Sequence, residues 1–334
     1  MDDLKYGKRN KRGDWAPDGK LATSPLFRLP PDLKKLPAWL PGYFLPWNVA
    51  FMASGALFWL FLFPAPQRML SFHWSWILQI LLVNLVAVTT FYSVLELRLY
   101  RLRRQESRFK YNAKFPSDGK NPAFWFGSQN IEGALRSLGT GVPIWTGFQV
   151  LLGHAFATGL IPWVSFATHP IWLVLLYFLV PVWHEFHFYC VHRLIHVPVL
   201  YKYIHSVHHN SVNPSPWSSL SMHPVEQLLY FSSGLIHFII PSNPMLALYQ
   251  MHYAGFGAVV GHIGFDKIEM GEKGLDTHAY THYLHHKYFE VNYGDGLMPL
   301  DKLFGSWHDG TAEGEALMEA RFRKKVEKVN RKAG

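Results

Sequence analysis

One cysteine, Cys190, is all that this chain of 334 residues contains. It excludes an intramolecular disulfide and any thiolate metal cluster, so cysteine usage says nothing of the redox compartment and any metal site must be built from nitrogen and oxygen. Charge is scarce as well: Asp, Glu, Lys and Arg make up 16% of the residues, against 49% hydrophobic and 16% aromatic. A soluble domain draws on about 25% charged residues, so the deficit points to a membrane. Acidic residues are the scarcer sign, 23 against 32 Lys and Arg, which leaves a formal net charge of +9. Those cations lie in blocks flanking apolar runs rather than interleaved with aromatics, a membrane-facing pattern and not that of a nucleic-acid partner. Also missing are the short apolar core and small-residue cleavage site of a signal peptide. Residues 1–40, rich in Pro and Lys/Arg, are expected as a basic, mobile cytoplasmic tail.

Apolar runs long enough to cross a bilayer, about 20 residues each, occur at 43–63 and 73–97. Two more, 144–166 and 171–189, are diluted by glycine and His154 and by Pro181, and would pair through the turn at 167–170. The last, 227–265, is broken by Pro241 and Pro244, as in a tight two-helix hairpin or a re-entrant pair. The predicted fold is an all-α membrane bundle of about four transmembrane helices plus a re-entrant or interfacial hairpin, spanning 41–310 and followed by a basic C-terminal helix or tail at 311–334. Cations at the N-terminus, at Arg98, Arg101, Arg103, Arg104, Arg108 and Lys110, and over 321–332 mark one side as cytoplasmic, whereas the turns at 64–72 and 167–170 hold only Arg68 between them. Counting spans then brings every histidine-rich segment to that side.

Histidine is what the chain has in surplus, 19 residues. HSVHH at 205–209 returns as HYLHH at 282–286. Chance predicts about 0.06 copies of H-x-x-H-H in this composition, so the repeat marks a site. On a helix, positions i, i+3 and i+4 share an arc of roughly 100°, and each box presents three imidazoles in one direction. Upstream, His192 and His196 in HRLIH stand at i and i+4. His192, His196, His205, His208, His209, His282, His285 and His286 exceed the four ligands of one tetrahedral metal, so the count implies two ions; imidazole suits iron, copper, zinc or nickel. The bland alternative is a set of surface-helix histidines. Glu185 and Glu226 are the nearby carboxylates able to orient a ligand through its second nitrogen, or simply to pair with a basic neighbour.

In the order HRLIH, HSVHH, HYLHH, and in His223, Pro224 and Glu226 of SMHPVEQ, Asn292 to Gly294 of NYG, and DKLFGSW near Asp301, the chain resembles the fatty acid hydroxylase/sterol desaturase superfamily of membrane di-iron oxygenases, over about 171–307. Glu185 stands where that family usually has aspartate, and Cys190 where it often has tryptophan. The resemblance implies two non-haem iron ions facing the cytosol, with O2 as co-substrate, and hydroxylation or desaturation of an unactivated C–H in a lipid within the bilayer. It adds His223 and His262 as further candidate ligands, and places Glu185, Glu226 and Asn292 at the site as candidate catalytic residues. The membrane would be the endoplasmic reticulum in a eukaryote and the inner membrane in a bacterium. No flavin, nicotinamide or haem domain is apparent in the chain. Electrons are therefore expected from cytochrome b5 or a ferredoxin with its NAD(P)H reductase, docking on the basic face.

His184, His187 and His278 lie near the boxes and are expected mainly as hydrogen-bonding neighbours; His73, His154, His169 and His237 read as structural. HEFH falls one residue short of the HExxH zinc-protease spacing, and GFGAVVGHIG lacks the strand that a dinucleotide fingerprint requires. Its small residues better serve close helix packing. Two readings from other classes stand beside the oxygenase: a membrane haem protein with histidine axial ligands, and a zinc-dependent membrane hydrolase.

Overall fold

The structure, a computed structural model, describes residues 1–28, 30–116 and 120–333. The first strands, β1 (Gly7–Arg9) and β2 (Trp15–Pro17), form an antiparallel hairpin in which Gly7 faces Pro17. Where composition predicts a mobile tail, this segment is docked. Trp15 is 1% exposed, edge-on to Phe109 with ring centres 5.5 Å apart, and its backbone N–H donates to the Tyr111 carbonyl at 3.2 Å. One indole outweighs the polar residues around it, because burying so large an apolar surface is worth a few kcal/mol.

Helix α1 (Leu36–Phe44) and α2 (Trp47–Leu57), extended by a π-helical turn at Phe58–Leu62, are bent by 49° around Leu45 and Pro46, so the first apolar run is a broken pair rather than one rod. Helix α3 (Trp74–Glu96) continues through Arg101. Its first turn is capped by the His73 ring, which accepts the Ser75 N–H at 3.2 Å. Helix α4 (Gln129–Arg136) runs through a π turn into α5 (Val142–Ala157), so the third apolar run ends at 157 and not at 166. Helix α6 (Pro170–Ile195) has 26 residues, hence a length of about 39 Å; this exceeds the ~30 Å of bilayer hydrocarbon and lets its last turns stand clear of it.

Among the described residues two helices, Trp74–Arg101 and Pro170–Ile195, are long and apolar enough to cross a membrane, or three spans if the bent pair counts as one. After α6 come α7 (Pro198–Leu200), a π turn (Tyr201–His205) and α8 (Ser206–His209). Helix α9 (Pro224–Phe231) leads through a 3-10 segment and a break at 239–243 into α10 (Pro244–Gly261). Pro244 occupies the first turn, where its missing N–H is harmless, and Asn243 caps it by accepting the Met245 N–H at 2.8 Å. The last apolar stretch is thus two helical arms. Helix α10 is buried nearly all round because α2, α5 and α6 pack about it, which explains why its sequence shows no polar face.

The strands β3 (Lys267–Met270) and β4 (Lys273–Asp276) form a second hairpin, followed by α11 (Tyr280–Tyr288), α12 (Leu300–Leu303) and α13 (Ala312–Ala333). The central apolar core runs from Tyr92 and Leu99 of α3 and its extension through Trp145 of α5 to Tyr249 and Phe256 of α10.

Candidate metal centre

The ends of α6, α8, α10 and α11 meet at one level and bring nine imidazoles together in two groups. His192, His196, His205, His209 and His285 form the first; His208, His262, His282 and His286 form the second. Within each group the ligating nitrogens lie within 4.8 Å of one another, and all the rings but His196 are buried. Each box is divided between the groups. His205 and His209 go to the first while His208 between them goes to the second, and His282 and His286 go to the second while His285 goes to the first. One shared face per box is therefore too simple: the helix directs its i and i+4 rings to one centre and the remaining ring to the other.

The second nitrogens fix the rings. His192 Nδ1 donates to the Tyr293 carbonyl at 2.7 Å, His285 Nδ1 to the Val291 carbonyl at 2.7 Å, and His262 Nδ1 to the Ala258 carbonyl at 2.8 Å. A carbonyl only accepts, so in each neutral ring the proton sits on Nδ1 and Nε2 presents a lone pair. His262 Nε2 lies 3.0, 3.1 and 3.0 Å from the Nε2 atoms of His208, His286 and His282. Three neighbours cannot all donate to one lone pair. Nor is protonation the remedy, because burial, reinforced by the neighbouring imidazoles, holds His205, His208, His209, His282, His285 and His286 well below the ordinary imidazole range.

A cation shared by the nitrogens resolves the conflict. Metal–imidazole bonds of about 2.0–2.1 Å place neighbouring ligand nitrogens roughly 3.0–3.4 Å apart, and in the first group His285 Nε2 stands 3.0 Å from His209 and 3.2 Å from His196. The donor set fits two metal ions. Five donors exceed a tetrahedral structural zinc site, and axial ligands across a haem iron would stand about 4 Å apart, twice one metal–nitrogen bond. The imidazoles here are closer than that and leave no plane for a porphyrin.

Carboxylates act on the groups from outside. Glu226 of α9 accepts from His205 Nδ1 at 2.8 Å. Glu185 meets no imidazole of either group: its oxygens accept the Asp295 and Gly296 N–H groups at 3.1 and 3.0 Å. Asp301 takes the Tyr293 and Gly294 N–H groups at 3.0 and 2.8 Å. The two carboxylates thus clamp the 293–296 loop whose Tyr293 carbonyl orients His192. Glycine at 294 is required by this clamp, since a Cβ there would stand 2.7 Å from Glu185 Oε1.

Asn292 is buried and ties its loop to His308, accepting the His308 N–H at 2.8 Å and donating to its carbonyl at 3.2 Å, in a left-handed conformation (φ 51°) that asparagine tolerates. No histidine of either group is among its hydrogen-bond partners. His223 caps α9 by accepting the Val225 N–H at 3.2 Å and belongs to neither group, whereas His262 stands at the centre of the second. His187 pairs with Ser232 at 3.0 Å; His184, His187 and His278 lie outside both groups. The orienting backbone carbonyls carry no side-chain signal in the sequence, but Asp301 could have been found from DKLFGSW.

Beside the histidines lies a cavity of about 500 Å³. Its walls include Phe188 and His192 of α6, Tyr253 and His262 of α10, and His282 of α11; α1 and the docked residues 17–24 close its sides.

Residues 174–306 match the family model described as fatty acid hydroxylase. A Delta(7)-sterol 5(6)-desaturase of Gibberella zeae is 32% identical over 157 residues, 45% of this chain and 46% of the relative. One of Aspergillus fumigatus is 34% identical over 158 residues, 40% of this chain and 49% of the relative. The chain spans about half the length of the curated relatives it matches. No solved structure matches it. With two histidine groups and their clamping loop, residues 174–306 are similar to the fatty acid hydroxylase family and to sterol desaturases, both of them oxidoreductases.

Proposed function

We propose that the protein is a membrane-bound non-haem di-iron oxygenase that desaturates or hydroxylates an unactivated C–H of a sterol-like or fatty acyl lipid, with O2 as co-substrate. The observation that carries this reading is the pair of imidazole groups, five and four strong, with Nε2 atoms 3.0–3.2 Å apart and their protons committed elsewhere at His192, His262 and His285. The relatives' names and the iron dependence of the fatty acid hydroxylase family support iron and a lipid. Bound iron supplies what imidazoles lack, the reduction of O2 and abstraction of hydrogen from carbon.

The chain's own residues position and shield. His192, His196, His205, His209 and His285 would hold one ion, and His208, His262, His282 and His286 the other. Glu226 and the carbonyls of Tyr293, Val291 and Ala258 keep the rings in the ligating tautomer. The cavity borders both groups, with His192 and His205 of the first and His208, His262 and His282 of the second in its wall, and has room for a lipid chain. The active site faces the cytoplasm in this reading, reached by spans additional to the two long helices, where the basic blocks attract an acidic electron donor such as cytochrome b5 or a ferredoxin.

Metal analysis with product identification from lipid extracts, on the native chain beside His205→Ala, tests the reading. The native chain is expected to hold two irons and form an oxidised lipid, and the variant to lose both. Two irons and full product in the variant would overturn the assignment.

A further inference from the structure

Eight of the nine imidazoles in the two groups are closed off from the surface at Nδ1. That nitrogen is hydrogen-bonded in His192, His205, His262 and His285, and buried in His208, His209, His282 and His286. His196 alone differs. Its Nε2 lies 3.2 Å from the Nε2 atoms of His209 and His285, inside the first group, whereas Nδ1 of this half-buried ring is neither bonded among the described residues nor buried. With Nε2 given to a metal, the ring's one proton sits on Nδ1 and leaves a donor facing outward.

Tyr293 and Tyr201 neighbour the His196 ring at centre distances of 4.8 and 5.3 Å, and the Arg193 guanidinium covers the Tyr293 ring at 4.6 Å. Arg193 and Lys202 are exposed, and neither stands in an ion pair among the described residues. Carboxylates near Tyr293 are already engaged, Glu290 by Lys325 and Asp301 by the loop N–H groups. Val197, Val199 and Tyr203 add exposed apolar surface. The lipid side lies elsewhere, since the cavity wall takes His192, His205, His208, His262 and His282 but not His196. We propose that the surface around His196 docks an acidic one-electron carrier protein, and that electrons enter through the first group. Carboxylates beside the carrier's redox centre would accept from Arg193, Lys202 and His196 Nδ1. At each encounter the carrier loses one electron and the ferric ion held by the first group gains it, with no bond made or broken. One imidazole then separates the docked carrier from the group. This rests on the oxygenase reading for its consequence, whereas docking is read without turnover.

The test uses the iron-loaded full chain in detergent and two probes at low ionic strength, the acidic haem domain of cytochrome b5 and basic cytochrome c. The native chain is expected to bind the acidic domain about tenfold or more tightly than cytochrome c, with affinity falling as salt rises. Arg193→Glu with Lys202→Glu should weaken that binding about tenfold at unchanged iron content, and Val199→Asp alone about threefold. Lys11→Glu with Arg12→Glu makes the same change in net charge in the turn between β1 and β2, and should leave binding within about twofold. Without oxygen or lipid, and below saturation, oxidation of the reduced domain should slow in the patch variant and not in the turn variant. If the Arg193 change lowers iron through Tyr293, Lys202→Glu and Val199→Asp on exposed side chains decide the matter.

A native chain without preference for the acidic domain, including one that binds neither probe, overturns the proposal. So does a patch variant that binds as tightly as the native chain, or a turn variant weakened as much as the patch variant. A patch variant whose only loss is attachment to anionic lipid vesicles overturns it too, because the surface would then belong to the bilayer. Failure of the oxygenase reading would look different: no lipid oxidised by the native chain, whatever carrier it binds.

Discussion

Among the described residues Glu226 alone hydrogen-bonds an imidazole of either group through a carboxylate, its second oxygen having no partner there, while Asp295 stands off His282 Nδ1 at 3.8 Å. Its task is local, to keep the His205 proton on Nδ1 and Nε2 free for metal. Carboxylates that orient ligand histidines typically change metal affinity by 10–100-fold. Glu226→Ala is therefore expected to lower iron retention in chelator competition by about that factor while leaving the helical signal unchanged. Glu185 acts at one remove. It holds the loop that holds His192, so its replacement would act on loop order before it acts on iron. The distinction was not legible in the sequence, where both are carboxylates near a box. Asn292 and His223 show the same limit: in their motifs they sit beside ligands, and in the fold they serve a backbone staple and a helix cap. A spacing rule reports which way a side chain leaves its helix, but not which acceptor waits there.

At the scale of helices, close approach decides the cavity's shape. A Cβ on Gly55 of α2 would meet the Tyr249 backbone of α10 at 2.8 Å, and rigid backbone cannot swing aside. Phe51 and Tyr253, one turn away on the same two helices, line the cavity. Gly55→Ala should therefore destabilise the chain by roughly 1–3 kcal/mol, visible as a lower thermal midpoint in detergent, and distort the cavity wall. Gly255, the glycine that opens the GFGAVVGHIG stretch, has a comparable duty, with the Trp145 ring 2.5 Å from its absent Cβ. Small residues on α10 were legible as packing positions because an apolar run with glycine at intervals has few other uses. Their partner on α2 was not, since one glycine in an apolar run carries no address. The same holds for the third apolar run, whose hydropathy continues past the residue where the helix ends.

For the whole molecule, the eight box histidines and His262 were readable as residues, whereas their assignment to two centres depends on how α6, α8, α10 and α11 cross, which no local period encodes. The docked N-terminus was hidden for a related reason: a mostly polar segment, seated by the buried Trp15, by Asp3 accepting the Phe109 N–H and by Arg9 donating to the Ser107 carbonyl, looks like a tail until its partner surface is known. The division of each box between two groups has one more consequence. Because α8 and α11 each serve both groups, an ion in one orders the helices that build the other, and the second ion binds to a frame already assembled. Iron uptake should then be all-or-none. Native mass spectrometry during Fe(II) titration is expected to show empty and doubly filled chains with little singly filled intermediate. Glu226→Ala would shift the balance between those two populations and would not create a stable half-filled one. A dominant one-iron species at the midpoint would mean that the two centres fill independently despite their common helices.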